Sequence, residues 1–223
     1  MCPKPRSSAI RCAPEEFEYF EFRPSWLKEW VSEACCAREW RRRFPDQFKN
    51  YSNRKGPGRA GSFFQYALQF VLRRDYDIKS VAWMHMECVE PSAPESQTLV
   101  ARGKTGRDHE PRWNVMRKYM KRDFDRLQSA LFNFKVAGKR GETGEPDLFC
   151  FRESETDRLW CFAEAKSLAD DHHDKQERWF AVAENTLGVK RRPFLCRVVP
   201  EGYVRPLGCP KHTGRWNEMM TSA

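Results

Sequence analysis

Between positions 144 and 166 the chain writes two short apolar runs around a polar turn, with carboxylates at their outer ends. It reads Gly-Glu-Pro-Asp-Leu-Phe-Cys-Phe, then polar residues through 153–158, then Leu-Trp-Cys-Phe-Ala-Glu-Ala-Lys. Runs of this length and spacing predict a β-hairpin. Asp147 opens the first run, and Glu164 and Lys166 close the second. Strand residues two apart share a face, so Glu164 and Lys166 point one way and Ala165 the other. Pairing of the runs sets Asp147 beside them, and two carboxylates and an ammonium converge at one end of a sheet. Mg2+ takes oxygen ligands from one or two carboxylates, with waters and phosphate completing its shell. A lysine alongside stabilises charge on a phosphoryl group or a nucleophilic water. The competing reading is an amphipathic hairpin with solvated ends.

The residues Gly144, Pro146, Asp147, Leu148 and Phe149, then Glu164, Ala165 and Lys166, followed by Gln176 and Trp179, carry a resemblance. The stretch resembles the PD-(D/E)xK nuclease superfamily and within it the VRR-NUC family, to which archaeal Holliday-junction resolvases are related. The resemblance implies an α/β fold: a restriction-endonuclease-like core with a mixed central sheet flanked by helices. To that core the sequence adds a helical N-terminal extension and a long basic helical insertion. It implies Mg2+, or Mn2+, held by Asp147 and Glu164 with the Ala165 carbonyl. Lys166 would orient the attacking water, and Gln176 would position a water or phosphate, or else cap its helix. The family also places a metal-binding glutamate on the first core helix. No glutamate occurs between Arg59 and Ile78. Gln65 falls near that position, and Glu87 is the alternative carboxylate.

At 223 residues, with 16 Phe and 8 Trp, the chain can bury a sizeable core. It has no apolar run long enough for a membrane helix, and Met1 to Arg6 lack the apolar stretch of a signal peptide. An intracellular protein is expected, in the nucleus or nucleoid if it acts on DNA. The net charge of +9 suits a polyanionic partner. Basic residues crowd the segment 102–140, including Arg117, Lys118, Lys121, Arg122, Lys139 and Arg140, and Arg54, Lys55 and Arg59 surround a glycine loop. These are the candidate phosphate contacts, against a reading as solvated helix backs and a flexible loop. Nine cysteines without a Cys-x-x-Cys read as reduced, mostly buried thiols. Cys209 and His212, with Cys196, make an incomplete zinc pattern.

In chain order, residues 1–24 read as an extended arm and 25–44 as helix. Phe63, Tyr66, Ala67, Phe70 and Val71 recur at helical spacing behind a Ser62 cap. Residues 79–89 read as a strand, with His85 structural, and 112–134 as one long amphipathic helix. A helix at 174–187, a strand at 193–199 and an irregular tail follow, with Trp216 or the Met219–Met220 pair packing back. The expected division is an N-terminal extension at 1–61, a nuclease-like domain at 62–200 with an insertion at 90–140, and a tail at 201–223. The expected function is a metal-dependent nuclease hydrolysing phosphodiester bonds in DNA, branched or flapped forms included, with RNA not distinguished and a homodimer suited to symmetric junctions. The alternatives are a recombination or repair accessory protein that binds nucleic acid without efficient cleavage, and a structural adaptor.

Overall fold

The computed structural model describes residues 9–10, 13–31, 60–82, 84, 86, 99–100, 104–105, 110–136, 144–153 and 158–221. Its centre is a mixed five-stranded sheet built from β2 (Phe17–Phe22), β3 (Lys79–Ala82), β6 (Leu148–Glu153), β7 (Arg158–Lys166) and β9 (Phe194–Pro200), in the order β2-β9-β7-β6-β3. β6 pairs antiparallel with β3 and with β7, whereas β9 runs parallel to both β7 and β2. Helices cover both faces. The first face carries α1 (Pro24–Val31), α2 (Ala60–Tyr76) and α6 (Gly214–Thr221). The second carries α3 (Glu110–Met120), α4 (Arg122–Val136) and α5 (Asp174–Leu187). Two short antiparallel pairs lie apart from this sheet: β1 (Ala9–Ile10) with β8 (His172–His173), and β4 (Leu99–Val100) with β5 (Lys104–Thr105).

The period-2 alternation of the strands divides the core. Leu148, Cys150, Cys161, Ala163 and Ala165 enter the first layer, with Phe63, Tyr66 and Phe70 of α2. Phe149, Phe151, Trp160 and Phe162 enter the second, with Trp179 and Phe180 of α5. Both faces are covered, so the strands read as nearly continuous apolar runs. Asp147, Glu164 and Lys166 continue the second set, and so fall on the α5 side. The free thiols of Cys150, Cys161 and Cys196 are buried in the first layer, as their setting in apolar strands suggested.

Four expectations are corrected. The aromatic patch at 16–21 is an integral edge strand, β2, in register with β9 over six residues. Phe17 and Tyr19 enter one layer and Phe20 and Phe22 the other. Glu18, buried among them, hid the strand signal. The segment 112–134 is two helices rather than one. Lys121 stands between them in the left-handed region at φ 55°. The break turns the chain so that Met116 and Met120 of α3 and Phe124, Leu127 and Leu131 of α4 all reach one core. Arg117 stacks over Phe124 across the bend, 4.9 Å from the ring centre. The strand expected at 79–89 stops at Ala82; beyond it Met84 and Met86 turn into the second core layer. Finally, the tail is not irregular throughout: α6 closes it, with Trp216 fully buried and Met219 and Met220 packed beside the core. Smaller shifts occur too, since α2 begins at Ala60, ahead of Ser62.

Candidate active site

The β6–β7 register pairs Leu148 with Ala163 and thereby brings Asp147 level with Glu164. The two residues are laced together. The Asp147 backbone N–H donates to Glu164 Oε2 at 3.1 Å, and the Ala165 N–H donates to Asp147 Oδ2 at 3.0 Å. Each carboxylate is thus fixed by the backbone of the other's strand. Lys166 Nζ lies 3.1 Å from Glu164 Oε1 and donates to Gln176 Oε1 at 2.7 Å. Gln176 Nε2 donates to Glu164 Oε1, which makes Glu164, Lys166 and Gln176 a closed ring of contacts. Gln176 Oε1 also accepts from the His173 N–H at 3.2 Å, at the first turn of α5. Of the two sequence readings of Gln176, the contacts show the helix-boundary hydrogen bond; in addition the side chain holds Lys166, a contact the sequence reading did not include.

Two glycine and helix features set this geometry. The Gly144 N–H donates to the Lys175 carbonyl at 2.8 Å, so the approach to Asp147 lies directly on α5. A Cβ at Gly144 would meet Gln176 Cγ at 2.5 Å and its backbone N at 2.8 Å, closer than any side chain tolerates. From α2, Gln65 Nε2 donates to the Asp147 carbonyl at 3.2 Å. Gln65 thus spends its amide on the backbone of Asp147. Glu145 accepts from the Met86 N–H at 2.8 Å, tying the segment after β3 to the same edge.

Electrostatically, the site gathers two carboxyl groups around one buried lysine. Glu164 and Lys166 are each 4% exposed. Burial pushes the Glu164 carboxyl up to about 8, with the Asp147 charge adding to the rise and Lys166 opposing it. Burial likewise raises Asp147 to about 6 against the hydrogen bond from Ala165. With both carboxyls ionised the site would hold one negative charge more than Lys166 neutralises, which a bound divalent cation would offset. Asp147 and Glu164 offer two hard carboxylates from adjacent strands, the donor type that Mg2+ or Mn2+ takes. Among the described residues no group of three or more His, Cys, Asp or Glu side chains gathers at one point. Within the described residues the carboxylate count is therefore two.

A clasp beyond the strand end was not foreseen. The Ser167 N–H donates to Asp170 Oδ2 at 2.9 Å, and Arg197 Nη1 donates to the carbonyls of Ser167 and Asp170. Arg197 is the one charged residue in β9, and that isolation in an apolar run was the available signal. His172 is buried and bonds Glu177 Oε2 at 2.9 Å, and its burial holds it below the usual imidazole range. His212 meets Tyr76 and Glu18, and Cys196 is sealed in the first core layer.

The predicted phosphate contacts fall in two groups. Arg54, Lys55, Arg59, Lys139 and Arg140, together with Glu87, lie outside the described residues. Arg117, Lys118, Lys121 and Arg122 lie at the α3–α4 corner. Arg126 donates to the Thr186 carbonyl at the far end of α5, while Phe134 and Arg178, near its start, line one surface cavity. The corner is thus on the order of 20 Å from the site, the length of α5 at 1.5 Å per residue. It does not join the carboxylates.

No protein-family model matches the chain, and no curated protein or solved structure matches it.

Proposed function

We propose that the protein is a metal-dependent nuclease that hydrolyses phosphodiester bonds in DNA, with a restriction-endonuclease-like core of the PD-(D/E)xK type. The observation that carries this reading is the convergence of Asp147, Glu164, Lys166 and Gln176 at one end of β6 and β7. The succession α2, β3, β6, β7, α5, β9 supports it, as does the resemblance of residues 144–166 to the VRR-NUC family. Asp147, Glu164 and the Ala165 carbonyl would hold Mg2+ or Mn2+. Bound there, the cation supplies Lewis acidity toward a water and a phosphoryl oxygen and offsets charge on the departing oxygen. Lys166 Nζ orients that water and faces the charge that builds on the phosphoryl oxygens. Gln176 fixes the lysine by accepting a hydrogen bond from Nζ. The lacing of the two carboxylates to backbone N–H groups holds them in place before substrate arrives.

The test is cutting of duplex, flapped and four-way DNA with Mg2+ and Mn2+, comparing wild type with Asp147→Ala and Lys166→Ala. Cation-dependent cutting should fall by about a hundredfold or more in both variants. Variants as active as wild type would overturn this site. One observation favours a second reading, an accessory protein that binds nucleic acid and cuts it poorly: α2 offers Gln65 where a third carboxylate would stand. Salt-sensitive DNA binding by wild type, without cutting in either metal, would select it.

A further inference from the structure

The β6–β7 register sets Cys150 directly opposite Cys161. Residues facing each other across an antiparallel pair share one face of the sheet. Here that face is the first core layer, where both thiols are free and buried. Opposed residues of this kind have Cα atoms about 4.5–5.5 Å apart. A disulfide spans about 4.4–6.8 Å between Cα atoms, so these two sulfurs can join with the strands in place. The two side chains already touch. A hydrogen bond to the Cys161 sulfur, with burial adding to it, holds the Cys150 thiol well above its ordinary range. The other described cysteines stand elsewhere. Cys196 lies opposite Ala165, and its thiol donates to the Phe194 carbonyl at 3.9 Å. Cys209 packs against the second layer, across the sheet.

In the folded protein the pair is sealed. Phe63, Tyr66 and Phe70 of α2 and Val198 of β9 belong to the same layer. A thiol in such apolar surroundings stays protonated and inert. The hairpin alone has no such cover. β6 ends at Glu153 and β7 begins at Arg158, so the two strands pair from neighbouring sequence, whereas α2 and β9 join them from farther along the chain. Local pairings form ahead of distant ones. The two sulfurs therefore come together before the layer closes over them.

We propose that Cys150 and Cys161 are an oxidation site, which a small disulfide of the glutathione type converts to a cross-strand bridge while the hairpin is open and which the core then seals. One thiolate attacks a sulfur of the small disulfide and displaces one small thiol, leaving a mixed disulfide on the protein. The second thiolate attacks the protein sulfur of that intermediate, forms the Cys150–Cys161 bond and displaces the other small thiol. Two protein thiols are oxidised, one small disulfide is reduced, and both protons leave on the small thiols. The bridge fixes a register that matters. It lies three residues from Asp147 on β6 and three from Glu164 on β7. A slip of one residue would send a whole strand's side chains to the other face. The oxidation is independent of any reaction at the carboxylates.

The test is peptide mapping of the full chain after exposure to a mixture of reduced and oxidised glutathione. One sample stays folded throughout; the other is held at the midpoint of urea unfolding and then diluted back. Remaining thiols are alkylated under denaturing conditions. Trypsin, cutting after Arg140, Arg152, Arg158 and Lys166, puts Cys150 and Cys161 in separate peptides, 141–152 and 159–166. The diluted sample should show these two peptides joined, lighter by two hydrogens than their sum, as its main cross-link. Dithiothreitol should part them only once urea is added back. The sample folded throughout should show both peptides alkylated and apart. In Cys161→Ala, treated at the urea midpoint, Cys150 should carry glutathione instead, which marks the mixed disulfide that Cys161 resolves and needs no folded product. Peptides found apart in the diluted wild type, or Cys150 and Cys161 joined chiefly to other cysteines, overturn the proposal. Joined peptides in the sample folded throughout overturn the sealing by the core.

Discussion

Gly144 is small for a reason that lies on another element. Its backbone is pressed against the first turn of α5, and any Cβ would strike Gln176. Gly144→Ala should therefore push Gln176 away from Lys166 and Glu164. The expected loss of stability is about 1–3 kcal/mol, as for overpacking elsewhere. Activity should fall further than that loss explains, a pairing that denaturant titration and a cleavage assay on the same variant will check. The carboxylates give a second prediction. Glu164 is raised from 4.5 to about 8 in the folded protein. A raised carboxyl favours the folded state fully below its unfolded value, and that contribution disappears as pH rises through the folded value. Metal-free wild type should accordingly lose stability between about pH 4.5 and 8 relative to Glu164→Gln, which has no such titration. Melting temperatures across that window measure it. Mg2+ should raise the wild-type melting temperature more at pH 8 than at pH 6, and the variant's little at either. Asp147, Glu164 and Lys166 were legible because strand periodicity alone orders them on one face. The clash that demands Gly144 was not, because it depends on where α5 docks.

At the scale of elements, β2 and the tail explain each other. Glu18 is 1% exposed and points from β2 into the first core layer's edge. Its Oε2 accepts from the Thr213 N–H at 2.9 Å and lies 3.3 Å from His212 Nδ1, while its Oε1 accepts from Thr213 Oγ1. Thr213 in turn starts α6, accepting from the Trp216 N–H at 3.2 Å. His212 completes the cluster through Tyr76 of α2 at 2.7 Å. Tyr76 is held at about 12, chiefly by burial. Glu18→Ala would leave buried donors without an acceptor, at a cost of about 1–3 kcal/mol. The tail at 201–213 should then become cleavable by protease at temperatures where wild type resists. The core helices α2 and α5 and the hairpin β6–β7 could be read from local periodicity. β2 could not, because a buried glutamate interrupts its pattern and its partners lie at the other end of the sequence. The division of the helix at 112–134 was equally hidden, since its apolar stripe runs unbroken through Lys121 and only the curvature of the core requires a bend.

At the scale of the molecule, the basic corner and the carboxylate cluster among the described residues occupy different places. The described basic corner at Arg117 to Arg122 stands an α5 length from the carboxylates, so a duplex touching both would span about six base pairs at 3.4 Å each. Under the proposed nuclease function, that separation would keep contacts that hold DNA apart from contacts that cut it. The sheet carries a further consequence, in the order of assembly. Among the described residues β2 pairs with β9 alone, so Phe17 must wait for Leu195, almost the full length of the described chain away. Pairings of such sequence separation form late, whereas the β6–β7 hairpin closes locally. In pulsed hydrogen exchange during refolding, amides of β6 and β7 should gain protection first and those of β2 last. While the chain is being synthesised, the aromatic strand at 17–22 has no partner until β9 has emerged from the ribosome. Until then Phe17, Tyr19, Phe20 and Phe22 stay open to capture by chaperones, and any stall before β9 leaves a sticky edge in place of a folded sheet.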